Sequence, residues 1–331
     1  MAKGKQGNIL ELHENIPSFW DAWNIGYTEN SWVVDTADSV TKVEKGPIRS
    51  VLRIKKSFLG LSKANLHPSE GFPSSFFVQD IVLWKGVPRV DVEMTVDWWE
   101  DHTLLKVSFP FSVKADRATY EIPFGSIERP TQRNAVWEKA RFEVPVHRWA
   151  DLSGDEFGVS LLNDSKYGMD IKDNVMRLTL LTSALWPDPM ADRGKSRVVY
   201  AIYPHKGTWK DADTVRQARQ LNLPLVAMLF DGDGDDRVRF ANFCVDIDAE
   251  NAVIESIKKA EDSEALILRI VEHEGKEGKV SIVLPSGIEE AAEVDFIENE
   301  VKQLPFTGNT LTFSLSPFAI KSVRIKLKKG S

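Results

Sequence analysis

Residues 89–98 constrain the fold of this chain more than any other stretch. Val90, Val92, Met94, Val96 and Trp98 fall on one face, while Asp91, Glu93, Thr95 and Asp97 fall on the other. A period of two held over this length belongs to a half-buried antiparallel strand and cannot form one face of a helix. Residues 105–109 repeat the alternation, and the polar connection 100–103 predicts a hairpin between the two runs. Further strands are expected at 49–58, 75–84, 118–122, 141–146, 157–162, 175–181 and 197–202. Gly and Pro punctuate them at 86–88, 122–125 and 186–189. One helix is predicted over 211–221: acidic residues open it, Arg216 and Arg219 lie further along, and Pro224 stops it. Beyond the acidic run 231–236 come shorter alternating runs at 253–258, 266–271, 279–284, 311–315 and 322–327. The pattern predicts an all-β protein, with a large antiparallel β-sandwich over 1–235 and a smaller β-sandwich over 236–331.

Composition narrows the classes of function. With 331 residues the chain is long enough for two cores. Its 42 Lys and Arg against 49 Asp and Glu give a net charge of −7, which argues against a broad nucleic-acid surface. The single cysteine, Cys244, excludes an internal disulfide and a cysteine-cluster zinc site. No apolar run approaches the ~18 residues that a membrane helix needs. The opening residues MAKGKQGN lack the apolar stretch of a secretory signal, so a cytoplasmic protein is expected.

Several chemical signatures begin and then fail. Asp231, Asp233 and Asp235 have the spacing that opens a calcium loop, but Asp236 stands where glycine is required and Asn242 where a bidentate Glu is required. Gly194-Lys195-Ser196 ends like a phosphate loop, yet Pro189 occupies the earlier glycine position. Asn163-Asp164-Ser165 is formally a glycosylation sequon in a chain with no other sign of secretion. His273-Glu274 opens like a zinc-protease motif, but Glu277 replaces its second His; no GxSxG elbow occurs. The six scattered histidines read as structural or surface residues. Motifs alone give no enzyme.

A resemblance supplies what the motifs do not. The segments PVHRWADLS (145–153) and FGVSLLNDSKYGMD (157–170) resemble a signature of family 38 glycoside hydrolases, the α-mannosidases. RLTLLTSALWPDP (177–189), YPHKGTW (203–209) before the predicted helix, and LNLPL (221–225) continue it. WDAWNI (20–25) is similar to the family's WDAWDI, with Asn24 in place of an Asp; IKKAEDS (257–263) and PFAIKS (317–322) also match. The resemblance runs from about residue 7 to 327. It implies the C-terminal region of such an enzyme: a galactose-mutarotase-like super-sandwich followed by a smaller sandwich. The family's catalytic domain, with its zinc, nucleophile and acid/base, is expected to be absent from this sequence. No residue here inherits a catalytic or metal role, and no cofactor is expected in this chain.

The resemblance also implies a sugar-site rim at Asn163, Asp164, Ser165, Lys166 and Tyr167. Amide and carboxylate groups suit vicinal hydroxyls, Lys166 adds a donor, Tyr167 an apolar face, and Gly168 permits a tight turn. The same residues also read as a capped hairpin turn in which Asn163 and Asp164 bond their own backbone. Arg148, Trp149 and Asp151 read as an ion pair beside an aromatic anchor. Trp20, Asp21 and Trp23 read as a domain-packing surface or an aromatic wall beside a sugar, and the pair Trp98-Trp99 puts one ring on each face of its strand. The implied function is the β-sandwich part of a retaining α-mannosidase in mannose and glycan catabolism, inactive alone. Its expected partners are the catalytic domain, in cis or in trans, an α-mannoside through the full enzyme, and further copies of itself. A free-standing carbohydrate-binding or structural module is the alternative.

Overall fold

In a computed structural model the protein is all-β, and the structure describes residues 1–58, 75–226 and 245–328. Two compact units are present: Met1–Glu121 with Ile127–Pro224, and Ile122–Ser126 with Leu225–Ser331. The boundary expected at 235/236, the acidic run 231–236, His67 and Cys244 all lie outside the described residues.

The large unit packs a six-stranded sheet on a nine-stranded one. The alternating strand Val90–Trp98 sits centrally in the larger sheet, between Ser75–Trp84 and Gly194–Lys206. Its inward residues Val92, Met94, Val96 and Trp98 are at most 1% exposed and share one core with Leu10, Leu12, Leu105, Val107 and Phe109 of the other sheet. These last residues correct the expected hairpin. Thr103–Pro110 does not pair with Val90–Trp98; it lies in the six-stranded sheet between Ile9–Asn15 and Val175–Leu181. Both strands need their apolar faces in the same core, so residues 99–102 cross from one sheet to the other instead of turning back.

Other departures are local. Only Val144–Pro145 of the run 141–146 is strand. The helix is Thr214–Asn222, not 211–221, because Asp211 accepts from the Thr208 amide (2.9 Å) and hydroxyl (2.7 Å) in a preceding turn. Strands Ile9–Asn15, Tyr27–Val34, Ser39–Lys45, Ile288–Val294 and Glu300–Gln303 carry too little alternation to be read from sequence. The helix lies over the outer side of Trp149–Ser153 and Phe157–Asn163 in the large sheet, where Trp149 packs on Trp209 with ring centroids 4.8 Å apart. Beneath it Asp151, 1% exposed, accepts from the Ser153 and Ser160 hydroxyls and contacts His205 Nε2 at 2.8 Å, while Ser160 reaches Thr214 at 2.9 Å.

The outer face of the smaller sheet holds a buried ionic cluster. Lys106 Nζ bonds Glu143 and, at 2.6 Å, Asp170; Arg177 and Arg133 also reach Asp170, at 2.6 and 3.1 Å. Burial alone would push the Lys106 ammonium down, but Glu143 and Asp170 hold it above its ordinary range. Burial likewise opposes ionisation of Asp170, and Lys106 and Arg177 overcome it, leaving its carboxyl below the ordinary range. For Glu143 burial wins, and its carboxyl is raised despite Lys106. Burial also pushes the nearby Tyr27 hydroxyl up to about 12.

The second unit repeats the plan at smaller scale. A four-stranded and a five-stranded antiparallel sheet enclose Leu268, Ile270, Val280, Ile282, Leu311, Val323 and Ile325. Its buried Glu272 accepts from the amides of Glu274, Gly275 and Phe318 and from the Asn251 side chain.

Asp170→Asn leaves Lys106 and Arg177 under-compensated inside the fold, so we expect a loss of about 3–5 kcal/mol, read from urea denaturation. Tyr27 is raised in the folded state, so its contribution is complete below its ordinary value of 10.0 and is lost as pH rises through about 12. Between those pH values Tyr27→Phe should show a shallower fall of the urea midpoint than the unaltered chain. Parallel curves would contradict the assignment.

Candidate functional site

Several connections of the large unit meet at one end of the sandwich. The link between the two sheets passes through His102, whose amide donates to Ser183 O (2.9 Å) and whose carbonyl accepts from the Asn15 amide (2.7 Å). Ser183 is the knot of this region. Its hydroxyl receives the Trp98 indole N–H at 2.6 Å and donates to Thr103 O at 2.8 Å, tying the core of one sheet to the backbone of the other. Asp192 accepts from the Thr182 and Ser183 amides at 3.2 and 2.8 Å. Asp21 accepts from the Leu185 amide at 3.3 Å and contacts His102 Nε2 at 2.9 Å. The His102 contact is the main reason that the Asp21 carboxyl lies below its ordinary range.

Strain concentrates in the same place. Trp20, His102 and Ser183 adopt left-handed φ values of 64°, 46° and 54°, which side chains of their size rarely take. Trp20 holds its conformation in a tight turn, its carbonyl accepting from the amides of Trp23 (2.8 Å) and Asn24 (3.0 Å). Asn24 Nδ2 in turn donates to Phe19 O at 2.9 Å. A carboxylate cannot donate that bond, so the Asn that departs from the family pattern is used as an amide.

The turn presents Trp20 and Trp23 beside Trp186 from the 182–193 loop. Ring centroids are 5.1 Å apart for Trp20–Trp186, 5.7 Å for Trp23–Trp186 and 6.2 Å for Trp20–Trp23. The three side chains are 54%, 67% and 48% exposed, and Phe19 next to them is 67% exposed. A soluble monomer rarely leaves four large aromatic side chains in the open together. Sequence reading selected Trp20, Asp21 and Trp23 but missed Trp186 and His102. The only local signal for Trp186 was an aromatic residue immediately before the turn-forming Pro187 and Pro189.

The turn at residues 163–168 carries Lys166, whose charged form is favoured by Asp192 of the 182–193 loop. It splits the expected rim residues into two groups. Asn163 is 1% exposed; its Oδ1 accepts from the Lys166 amide (2.7 Å) and its Nδ2 donates to His147 O (2.8 Å). Asp164 Oδ1 accepts from the Val199 amide (3.1 Å) and the Ser165 hydroxyl (2.8 Å). Asn163 is thus turned inward, its Oδ1 closing the turn and its Nδ2 tying it to the backbone of residue 147. Asp164 is turned back toward the neighbouring strand. Ser165 and Tyr167 are exposed, and the Tyr167 ring packs on His147 at 5.6 Å. Lys166 is partly buried. Burial lowers its ammonium below the ordinary lysine range, Asp192 and Asp164 only partly opposing this, and it forms no ion pair among the described residues.

Arg148, Trp149 and Asp151 are not brought into this end. The expected pairing of Arg148 with Asp151 is corrected as well: Arg148 Nη2 bonds Glu121 Oε1 at 2.7 Å, and its backbone amide bonds Oε2 at 2.6 Å. Strand alternation sends Asp151 under the helix-bearing segment, to His205. Trp98 is fully buried and Trp99 37% exposed, one ring on each face of the strand. Among the described residues no group of three His, Cys, Asp or Glu is placed to hold a metal ion.

Comparison with known proteins gives this geometry a context. Residues 1–190 match the family described as glycosyl hydrolases family 38 C-terminal domain, and residues 251–323 match the family 38 C-terminal beta sandwich domain. The chain is 34% identical to mouse alpha-mannosidase 2C1 over 336 residues, which is 99% of this chain and 31% of that protein. It is 32% identical to alpha-mannosidase G of Dictyostelium discoideum, over 97% of this chain and 29% of the relative. It thus spans about a third of the length of these relatives. The crystal structure of an alpha-mannosidase from Enterococcus faecalis V583 shares the fold over 97% of this chain and 38% of that one, with a TM-score of 0.78 at 14% identity. No helix among the described residues is long and apolar enough to cross a membrane. The chain belongs to glycosyl hydrolase family 38, of whose α-mannosidases it forms the C-terminal part.

Proposed function

We propose that this chain is the β-sandwich part of a retaining α-mannosidase of mannose and glycan catabolism, giving scaffold, domain contacts and one rim of the sugar site. The observation that carries this reading is the exposed end of the large sandwich. Strained turns, three tryptophans and the Lys166–Tyr167 edge are held there by hydrogen bonds that tie the loops to the core and to one another. Trp20, Trp23 and Trp186 form the surface for the catalytic domain. Ser165, Lys166 and Tyr167 form the rim: the Tyr167 ring offers an apolar face to the CH groups of a pyranose, and Lys166 offers N–H donors to its hydroxyls. Nothing in that constellation cleaves a glycosidic bond. Retaining hydrolysis needs two carboxyls about 5–5.5 Å apart across the sugar. Asp164 and Asp192, the two acids whose charges act on Lys166, are bound to backbone amides. Nor do the described residues offer a donor set that fits the zinc implied by the family, so nucleophile, acid/base and metal fall to the catalytic domain in this reading. A cytoplasmic setting and assembly with further copies of the chain belong to the same proposal.

The purified 331-residue chain should release no aglycone from an aryl α-mannoside, and measurable release would overturn the division of labour. In the assembled enzyme, Tyr167→Ala and Lys166→Ala should raise KM by about tenfold, corresponding to about 1.4 kcal/mol of sugar contact, with a smaller change in kcat. Unchanged KM in both variants would remove the rim. The alternative, a free-standing sugar-binding module, is supported by the same exposed aromatic rings. Heat on titrating the isolated chain with millimolar mannose would favour it. The exposed tryptophans should also drive self-association, seen by light scattering and reduced by Trp23→Ala with Trp186→Ala; a clean monomer at high concentration counts against that surface.

A further inference from the structure

A second, shallow recess, with about 10 Å³ of space beneath its open mouth, lies where the edge strand Gly125–Pro130 meets residues 131–144. Arg129, Arg133 and Arg141 line it together with Tyr120, Gln132 and Glu138. Arginines elsewhere in this unit are paired. Arg53, Arg89, Arg117, Arg148 and Arg197 each hold a carboxylate within 3.0 Å. Arg129 and Arg141 differ: neither guanidinium has a hydrogen bond or an ion pair among the described residues. Arg129 lies over the Tyr120 ring at 4.7 Å with a buried Nη1 that has no acceptor, and Arg141 lies over the Trp137 ring at 4.7 Å. Arg133 gives one N–H to Asp170 at 3.1 Å and keeps its other donors.

The chain is acidic, so carboxylates were available to pair with these cations. The one acid lining the groove, Glu138, is committed elsewhere: its Oε2 accepts from the amides of Asn134 and Ala135, both at 2.8 Å. Burial lowers the Arg129 guanidinium below its ordinary range; Tyr120 opposes this and the Arg141 charge adds to it. Stacking on Tyr120 and Trp137 orients each planar fork while leaving its edge free, the preorganisation that bidentate binding of an oxyanion requires.

We propose that the groove formed by Arg129, Arg133 and Arg141 is an oxyanion-binding site that takes a phosphate group. A tetrahedral dianion offers enough charge and oxygens for three forks arriving from different elements, which a single carboxylate does not. The phosphate has two possible sources with the same chemistry: inorganic phosphate, or a phosphoryl group on a sugar.

Isothermal titration of the chain with inorganic phosphate, and separately with a hexose 6-phosphate, tests the site at ionic strength held constant with sodium chloride. Saturable binding that chloride does not reproduce is expected. It should weaken about tenfold or more in Arg129→Gln and in Arg141→Gln. Arg141 is exposed, so Arg141→Gln should keep the unliganded melting temperature and decides the matter if Arg129→Gln fails to fold. Tighter binding of the sugar phosphate identifies a phosphorylated sugar as the ligand, and equal binding identifies free phosphate. No saturable heat, or heat retained in Arg141→Gln, would overturn the proposal.

Discussion

The bond from the Trp98 indole to the Ser183 hydroxyl is the point on which the candidate site depends. Trp98 is the last inward residue of the strand that fills the core, and Ser183 begins the loop that carries Trp186. Because the Ser183 hydroxyl also donates to Thr103 O, one side chain fixes the spacing of the two sheets where they open to the loops. The left-handed backbone of Ser183 follows from this double duty. Asp192, which receives the amides of Thr182 and Ser183, and Asp21, which receives that of Leu185, then hold the loop against the 20–24 turn. The exposed aromatic surface therefore rests on rigid supports. Preorganisation of this kind lowers the ordering cost of a docking event.

Buried charge plays a different part in each face of the large unit. Outside the six-stranded sheet, Lys106, Arg177 and Arg133 converge on Asp170, and the excess of cation on that carboxylate keeps it ionised where burial opposes it. Outside the nine-stranded sheet, Asp151 is satisfied by hydroxyls and His205 beneath the helix. The ionic cluster covers the outward side of the six-stranded sheet around Lys106, which explains why Thr103–Pro110 is buried at nearly every position.

Much of the fold was legible because it follows from one local rule. Alternation located Ser75–Trp84, Arg49–Phe58 and Val175–Leu181 to the residue. The partner of a strand was not legible, as the failed 98–105 hairpin shows. Alternation says which side of a strand is apolar, but not whether the next strand joins the same sheet or the opposite one. The same limit applied to side-chain pairs. Arg148 and Asp151 are three residues apart on a chain that alternates, so they face opposite ways, and Arg148 finds Glu121 instead. At the candidate site, the motif residues were found through resemblance, whereas Trp186 and His102 are set by contacts across dozens of residues; Arg129 and Arg141, unpaired among the described residues, lie over the nearby rings of Tyr120 and Trp137. Charge counts average such positions away.

The turn at 163–168 has a consequence for how this surface can change over time. Asn163 bonds the Lys166 amide and the His147 carbonyl, and Asp164 bonds the Val199 amide, so the backbone of the turn is held without help from the side chains of Lys166 and Tyr167. Shape and chemistry are thereby assigned to separate residues. Drift or selection can exchange the two outward side chains while the turn keeps its path, so new ligand preferences can be sampled there with little risk to folding. Asn163, by contrast, has no such freedom.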